Sequence, residues 1–131
     1  TSTDQRMAGT EVKSILAGMT EGGRYSIDWQ GPVDLARRDV KLVFLLILCL
    51  ETALPYGGQI TIGWVDARWS LRTAGPRVKI EAQLWECLIA PDPAVEVGPA
   101  QVQFLLVPEE VIRQHRRLST ELTANEITLS F

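Results

Sequence analysis

The feature that most constrains the fold is a continuous apolar run near the middle of the chain. Residues 40–50 read VKLVFLLILCL, and Lys41 is the one charged residue among them. A membrane-spanning helix needs about 20 apolar residues, so this run is too short to cross a bilayer. Because the run is apolar on nearly every helical face, it predicts a helix buried at the centre of a globular core, with no membrane association.

Shorter elements precede this helix. Residues 10–19 carry an apolar residue every three or four positions and predict a helix capped by Thr10. Residues 24–30, RYSIDWQ, alternate apolar and polar residues and predict a strand. After the break at Gly31-Pro32, Asp34 or Asp39 is expected to cap the long helix, which should end near Leu54 because Pro55 follows.

Two strands and a further helix are predicted next. Residues 59–65 and 68–72 have the composition of strands, and the two-residue connection Asp66-Ala67 indicates a hairpin. Residues 78–89 fit a helix with its apolar residues on one face. These two strands are expected to belong to the same sheet as the strand over residues 24–30.

The C-terminal part predicts one more helix and two strands. Gly98-Pro99 is typical of a helix start, and Pro108 should kink or split the helix that follows. Residues 116–122 and 126–131 predict the strands. The predicted buried stripe of the helix consists of Val102, Leu105, Leu106 and Val111.

These elements predict an α+β two-layer sandwich of one domain. It would contain a mixed sheet of about five strands with three to four helices on one face. A length of 131 residues suits a single domain over residues 10–131, and the polar residues 1–9 are expected to be a disordered or linker lead-in.

Charge and cysteine content restrict the function. The net charge of −3 disfavours a nucleic-acid binder. Cys49 and Cys87 lie in apolar stretches and are expected to be free thiols in a reducing, cytoplasmic compartment. His115 is the single histidine, so no zinc site is expected, and it is interpreted as a solvated residue at a helix end. No catalytic residue is predicted in this chain.

The segment VFLLILCLETALPYGGQITIGW, a long apolar helix followed by a Pro-x-Gly-Gly turn and a strand, carries a resemblance. It resembles the region of the ATP-binding domain of sensor histidine kinases, in the GHKL superfamily, that carries N-A-x-K-x-x-P-x-G-G. When Pro55, Gly57 and Gly58 are placed on that pattern, Cys49 stands where the magnesium-holding Asn belongs. A thiol is a poor ligand for Mg²⁺.

The later kinase motifs are degraded as well. The kinases carry D-x-G-x-G after two strands, whereas this chain has Thr73, Gly75 and Arg77 at those positions. Of the Gly-rich lid motif G-x-G-x-G, one glycine remains, at Gly98. Thr73 supplies no charged acceptor for adenine, and Arg77 adds a side chain where backbone must approach phosphate. The resemblance therefore implies a nucleotide-binding fold with vestigial pocket positions, no cofactor and no metal.

Four segments together point to a particular family. They are SIDW before the long helix, LETALPYGG, the Trp-x-Leu strand before AGPR, and VGPAQVQFLL. In this order, over residues 10–131, they resemble the C-terminal domain of ChpT-type bacterial histidine phosphotransferases. The resemblance implies a homodimer that takes phosphoryl groups from the receiver domain of a hybrid histidine kinase. It then passes them to the receiver domains of response regulators.

In that family the phosphorylated histidine lies on an N-terminal helical hairpin, which this chain lacks, so the role does not transfer to His115. This domain would support the helical domain and contribute partner surface. The cluster of Arg113, Arg116 and Arg117 is a candidate docking patch for an acidic receiver domain.

Two alternatives remain at the level of sequence. The chain could be an active ATP-binding GHKL domain with an unusual Mg²⁺ ligand set, which the affinity for Mg-ATP would reveal. It could also be a protein-interaction domain of unrelated ancestry. A long upstream helical pair with an exposed histidine would support the phosphotransferase hypothesis over that last alternative.

Overall fold

The computed structural model describes residues 5–131. Single helices or helix pairs are separated by one or two strands along the chain, and a 3₁₀ turn over Pro99–Gln101 precedes the last helix. The helices are α1 Gly9–Thr20, α2 Arg37–Thr52, α3 Ala82–Cys87 and α4 Gln103–Arg113. The strands are β1 Arg6–Ala8, β2 Tyr25–Gln30, β3 Asp34–Ala36, β4 Gly58–Val65, β5 Arg68–Ala74, β6 Ser119–Leu122 and β7 Glu126–Ser130.

The predicted mixed sheet of five strands is confirmed. Its order is β2-β4-β5-β7-β6, with β2 parallel to β4 and every other neighbouring pair antiparallel. Strands β1 and β3 form a separate antiparallel ribbon. Among the described helices, none is long and apolar enough to span a membrane.

The core lies between one face of the sheet and the helices. Side chains that alternate along the strands, such as Ile60, Leu71 and Ile127, are fully buried. Helix α2 supplies the opposite side of the core, where Leu46 and Leu50 are also fully buried. The opposite face of the sheet carries polar side chains. The apolar run that dominates the sequence is therefore the central helix, as predicted.

The predicted helix caps are wrong. Helices α1 and α2 begin after Ala8 and Ala36, and neither helix has a side-chain cap. Thr10 lies inside α1, Asp34 lies in β3 and Asp39 lies in the first turn of α2. The ribbon replaces the caps, because Gly9 N–H donates to the Val33 carbonyl and Arg37 N–H to the Gln5 carbonyl, both at 2.8 Å.

The ribbon also shortens the lead-in that the sequence predicts over residues 1–9. Residues 1–4 of that segment lie outside the described residues. Arg6–Ala8 form β1, which pairs with β3. The pairing partner is about 28 residues away in the sequence, so local composition gave no indication of it.

The helix predicted over residues 78–89 is shorter than expected. Only Ala82–Cys87 are helical, because the preceding residues run past the end of α2, where Lys79 N–H donates to the Ala53 carbonyl at 2.9 Å. This contact occupies the backbone before the helix can begin.

The predicted buried stripe of α4 is wrong for Val102, Leu105 and Leu106, which are 41–46% exposed. Only Val111 of that stripe is buried, and it is joined by Phe104, Val107 and Pro108. Two hydrogen bonds to α2 set the rotation of α4. Gln103 Nε2 donates to the Leu48 carbonyl at 3.2 Å, and Gln114 Nε2 donates to the Arg38 carbonyl at 3.1 Å.

Helix α4 also runs through Pro108 without being split. The predicted hairpin at Asp66-Ala67 is present: these residues have φ of 53° and 61°, as a type I′ turn requires.

Candidate functional site

The end of α2 and the turn that follows it contain the glycines of the kinase-like motif. A Cβ atom on Gly57 would lie 2.5 Å from the Arg24 carbonyl oxygen, and one on Gly58 would lie 2.5 Å from that of Ala74. A Cβ atom on Gly75 would lie 2.6 Å from the Gly57 carbonyl oxygen. Close packing of backbone against backbone therefore explains these glycines without a bound phosphate.

Cys49 is completely buried in α2. Burial raises the pKa of its thiol far above the ordinary value, so the group stays neutral at physiological pH. A buried thiol offers neither the oxygen atom that Mg²⁺ prefers nor access for the ion. The side chain behaves as a small apolar core residue.

Thr73 is also completely buried, and its hydroxyl donates to the Gln59 carbonyl at 3.2 Å. Gly75 packs against the side chain of Leu54 and the backbone of Gly57 and Gly58. Arg77 lies at the surface with its guanidinium 5.7 Å from the centre of the Tyr56 ring. The structure thus buries Cys49 and Thr73, leaves Gly75 half-buried beside Leu54, and places Arg77 at the surface.

The segment after Arg77 packs beside the C-terminal end of α2. Leu84, Trp85 and Leu88 are buried, and the Trp85 ring meets the Phe104 ring edge-on with centroids 5.1 Å apart. These aromatic side chains join α3 to α4. The segment therefore contributes to the core.

The start of the last helix offers few amide groups for phosphate. Pro99 has no N–H, and the Gly98 N–H donates to Gln101 Oε1 at 3.3 Å. The Gln101 N–H donates to the Gly98 carbonyl at 2.9 Å. Anion sites at helix starts depend on unpaired amides, and these are already paired.

The predicted cationic patch is divided by ion pairs. Arg113 lies 3.0 Å from Glu110 Oε2. Arg116 pairs with Asp39, and its guanidinium lies 5.2 Å from the centre of the Phe131 ring. Arg117 is exposed. The three arginines therefore do not form one uniform surface, since two of them have carboxylate partners.

His115 is exposed just beyond α4, with φ of 55°. Its N–H donates to the Ile112 carbonyl and the Arg116 N–H to the Val111 carbonyl, both at 3.0 Å. This pair of bonds is a Schellman motif, with His115 in the left-handed position where glycine is usual. Within residues 5–131, no group of three His, Cys, Asp or Glu side chains could hold a metal ion.

Sequence reasoning missed the polar residues that join the helices. The Glu110 side chain is only 6% exposed. Its carboxylate forms an ion pair with Lys41 and accepts hydrogen bonds from Arg113 and Gln114. Adjacent charged residues such as Glu109-Glu110 give no indication of which one is buried. Only the rotation of α4 decides this.

The chain also matches a known protein family. A sequence model of the family described as histidine phosphotransferase C-terminal domain matches residues 9–126. No curated protein sequence matches the chain.

Several solved structures share the fold. One is described as a 1.7 Å structure of a bacterial phosphotransferase, with a TM-score of 0.81 and 18% identity. The alignment covers 95% of this chain and 63% of that chain, so this chain spans less than two thirds of that protein.

Two kinase structures are also similar. The nucleotide-free catalytic domain of histidine kinase ThkA has a TM-score of 0.64 and 17% identity, over 98% of this chain and 92% of that one. The mycobacterial sensor histidine kinase MprB also has a TM-score of 0.64, at 11% identity, over 98% and 97%. At such identities the likeness shows the fold alone.

Proposed function

The chain belongs to the histidine phosphotransferase C-terminal domain family, and we propose that it is the supporting domain of a phosphoryl-relay protein and does not bind ATP. Membership of this family excludes the alternative of unrelated ancestry. The fold is that of kinase ATP-binding domains, so the proposal depends on what occupies the nucleotide region.

One observation carries the proposal: Cys49 and Thr73 are completely buried at the positions that the resemblance assigns to the Mg²⁺ ligand and the adenine acceptor. Mg-ATP carries several negative charges and needs oxygen ligands and free amides. The residues at these positions supply no oxygen ligand for the metal and no free amide for the phosphates. Cys49 has a neutral thiol, the Thr73 hydroxyl is already bonded to the Gln59 carbonyl, and Trp85 packs on Phe104.

The phosphoryl group would therefore come from another protein. In this proposal the phosphorylated histidine lies on a helical hairpin N-terminal to this domain, and two copies of that hairpin form the homodimer. The donor is the receiver domain of a hybrid histidine kinase, and the acceptors are the receiver domains of response regulators. The buried free thiols support a reducing cytoplasmic setting.

Docking of an acidic receiver domain would rely on Arg117 and on the exposed part of Arg113. The Arg113 side chain is 69% exposed although it pairs with Glu110. Arg116 is expected to contribute less, since its guanidinium is held by Asp39 and Phe131. Rim charges of this kind mainly change the rate of association.

Calorimetric titration of the 131-residue chain with Mg-ATP tests the proposal. We expect no heat and no thermal shift at millimolar nucleotide, while a histidine kinase ATP-binding domain titrated in parallel binds. Saturable binding at micromolar concentration would overturn the proposal and favour the active ATP-binding alternative.

The variant Cys49→Asn with Thr73→Asp sharpens the test. We expect it to remain unable to bind Mg-ATP, because the space is filled by core side chains and not merely short of two ligands. The Asp would be buried, so the urea midpoint of this variant is measured first and the titration is done only on folded protein. If this variant bound Mg-ATP, the inference that core side chains occupy the nucleotide region would be wrong.

A further inference from the structure

A cavity of about 630 Å³ lies between the α3 region and strand β6. Its volume is within the range of ligand sites. Most of its walls are apolar: Trp85, Cys87, Ile89, Pro91, Val95 and Leu122. Ile89 and Leu122 are 52% and 38% exposed, so the cavity opens to the surface.

Strand β6 is at the edge of the sheet, and the register identifies its outward groups. Thr123 N–H donates to the Glu126 carbonyl, so positions 123 and 126 form a hydrogen-bonded pair. Antiparallel pairs alternate, which makes Glu121–Thr128 the next hydrogen-bonded pair and leaves Thr120 and Leu122 in non-bonded pairs. Their N–H and carbonyl groups therefore point away from β7.

The pairing of β7 with β5 supports this assignment. Phe131 and Trp69 exchange both backbone bonds, so Leu129 and Ile127 also face β5. Within residues 5–131, the outward groups of Thr120 and Leu122 have no backbone partner. An added antiparallel strand could make four hydrogen bonds with them.

The cavity lies on the side to which the Thr120 and Leu122 side chains point, because both residues line it. Residues directly opposite each other on paired strands have their side chains on the same face. Two residues of an added strand, spaced i and i+2, would thus bond to the edge and project into the cavity.

The charge of the cavity wall is of one sign. No Lys or Arg occurs between Lys79 and Arg113, while that segment has six acidic residues. Two of them, Glu86 and Asp92, line the cavity, and no basic residue does. This surface has the opposite charge to the arginine-containing end of α4.

We propose that β6 and this cavity bind an extended basic peptide segment by strand addition. Two apolar side chains at i and i+2 enter the cavity, and a Lys or Arg at i−2 or i+4, on the same face of the added strand, pairs with Glu86 or Asp92. Backbone hydrogen bonds supply affinity and the cavity supplies specificity. A second copy of the chain is a poorer occupant, because it would bring the same acidic wall and Glu121 to the interface.

Selection of a phage-displayed random octapeptide library on the 131-residue chain tests this proposal. We expect enriched peptides with large apolar residues at i and i+2 and a Lys or Arg two positions before or after this pair. The best of them is then synthesised and titrated by calorimetry and by NMR, where amide shifts should concentrate at Thr120, Leu122 and the Trp85 indole.

Leu122→Pro removes one outward N–H without touching a bond to β7, since proline is tolerated at a strand edge. We expect peptide affinity to fall by about tenfold, since a bond and its geometry are lost. A second pair of variants leaves the backbone unchanged. Glu86→Lys should weaken peptide binding several-fold, because it reverses a charge in the cavity wall. Its control, Glu96→Lys, lies outside the cavity lining and should change the affinity by no more than about twofold.

Three results would overturn the proposal. One is a selection that enriches no peptide. Another is a binder unaffected by both Leu122→Pro and Glu86→Lys, because the peptide then binds elsewhere. The third is self-association of the chain that Leu122→Pro abolishes, because a second copy then occupies the edge.

Discussion

Arg116 and Asp39, which are 77 positions apart, form an ion pair that joins the end of α4 to the first turn of α2. The second carboxylate oxygen of Asp39 accepts a hydrogen bond from Trp69 Nε1 at 3.1 Å. One carboxylate therefore connects two helices to the middle of the sheet.

Asp39→Asn should lower the free energy of unfolding by about 2–3 kcal/mol, because it leaves the half-buried Arg116 without a counter-charge. The matched control is Asp34→Asn, which breaks an exposed pair with Arg6 and should cost less than about 1 kcal/mol. Urea unfolding measures both. Equal losses would show that the burial of the Asp39 pair is unimportant.

Glu110 should make the free energy of unfolding depend on pH in the acid range. Burial alone would raise its pKa, but hydrogen bonds from Arg113, Gln114 and Lys41 outweigh this and lower the pKa to about 2 from 4.5. A folded-state pKa below the unfolded value stabilises the protein above about pH 4.5, and that stabilisation is lost as the pH falls toward 2. The loss is up to about 3 kcal/mol at 1.36 kcal/mol per unit.

Thermal melts of wild type and Glu110→Gln between pH 7 and pH 2 check this prediction. The variant should be less stable at pH 7, and the difference should shrink below about pH 4.5. A difference that stays constant with pH would contradict the role of the charged form. Glu109→Gln, on the exposed side of the same turn, is the control and should change little.

Phe104→Ala should cost about 3–5 kcal/mol, because Phe104 is fully buried against Trp85. Leu105→Ala should cost less than about 1 kcal/mol, since Leu105 is 45% exposed. Denaturant unfolding of the two neighbours tests the rotation of α4. A larger loss of stability in Leu105→Ala than in Phe104→Ala would mean that α4 buries the face predicted from the sequence.

His115→Gly should stabilise the protein by about 1 kcal/mol, because His115 has a left-handed backbone that glycine adopts without strain. His115→Ala, which removes the imidazole but keeps a Cβ atom, should bring no gain. Melting temperatures of the three proteins suffice. A gain with alanine would assign the strain to the side chain and not to the backbone.

Neither cysteine should react rapidly with a disulfide reagent at pH 8 in the folded protein. Cys49 is completely buried and burial raises the pKa of its thiol, while Cys87, although it lines the cavity beside β6, is only 2% exposed. Both should react in 6 M guanidinium. Ser14→Cys, at an exposed position of α1, provides a third thiol that should react at once. Rapid reaction of a native thiol would indicate that α2 or α3 opens readily.

Local patterns in the sequence predicted most of the elements. The apolar run predicted α2, and the patterns in residues 24–30 and 59–65 predicted β2 and β4. These signals depend on neighbours within a few positions, which share one face of a strand or helix. The resemblance to the phosphotransferase family was also confirmed, since it rests on short runs of neighbouring residues that can be recognised without the tertiary structure.

The tertiary structure decided the features that depend on distant partners. Thr10 and Asp34 looked like helix caps, but the β1–β3 ribbon supplies carbonyl partners from Val33 and Gln5. Leu105 and Phe104 are adjacent apolar residues, and only contacts with α2 and α3 decide which one is buried. The sequence thus determined which segments form helices and strands. Packing between segments decided which faces are buried, because burial depends on contacts that no local pattern specifies.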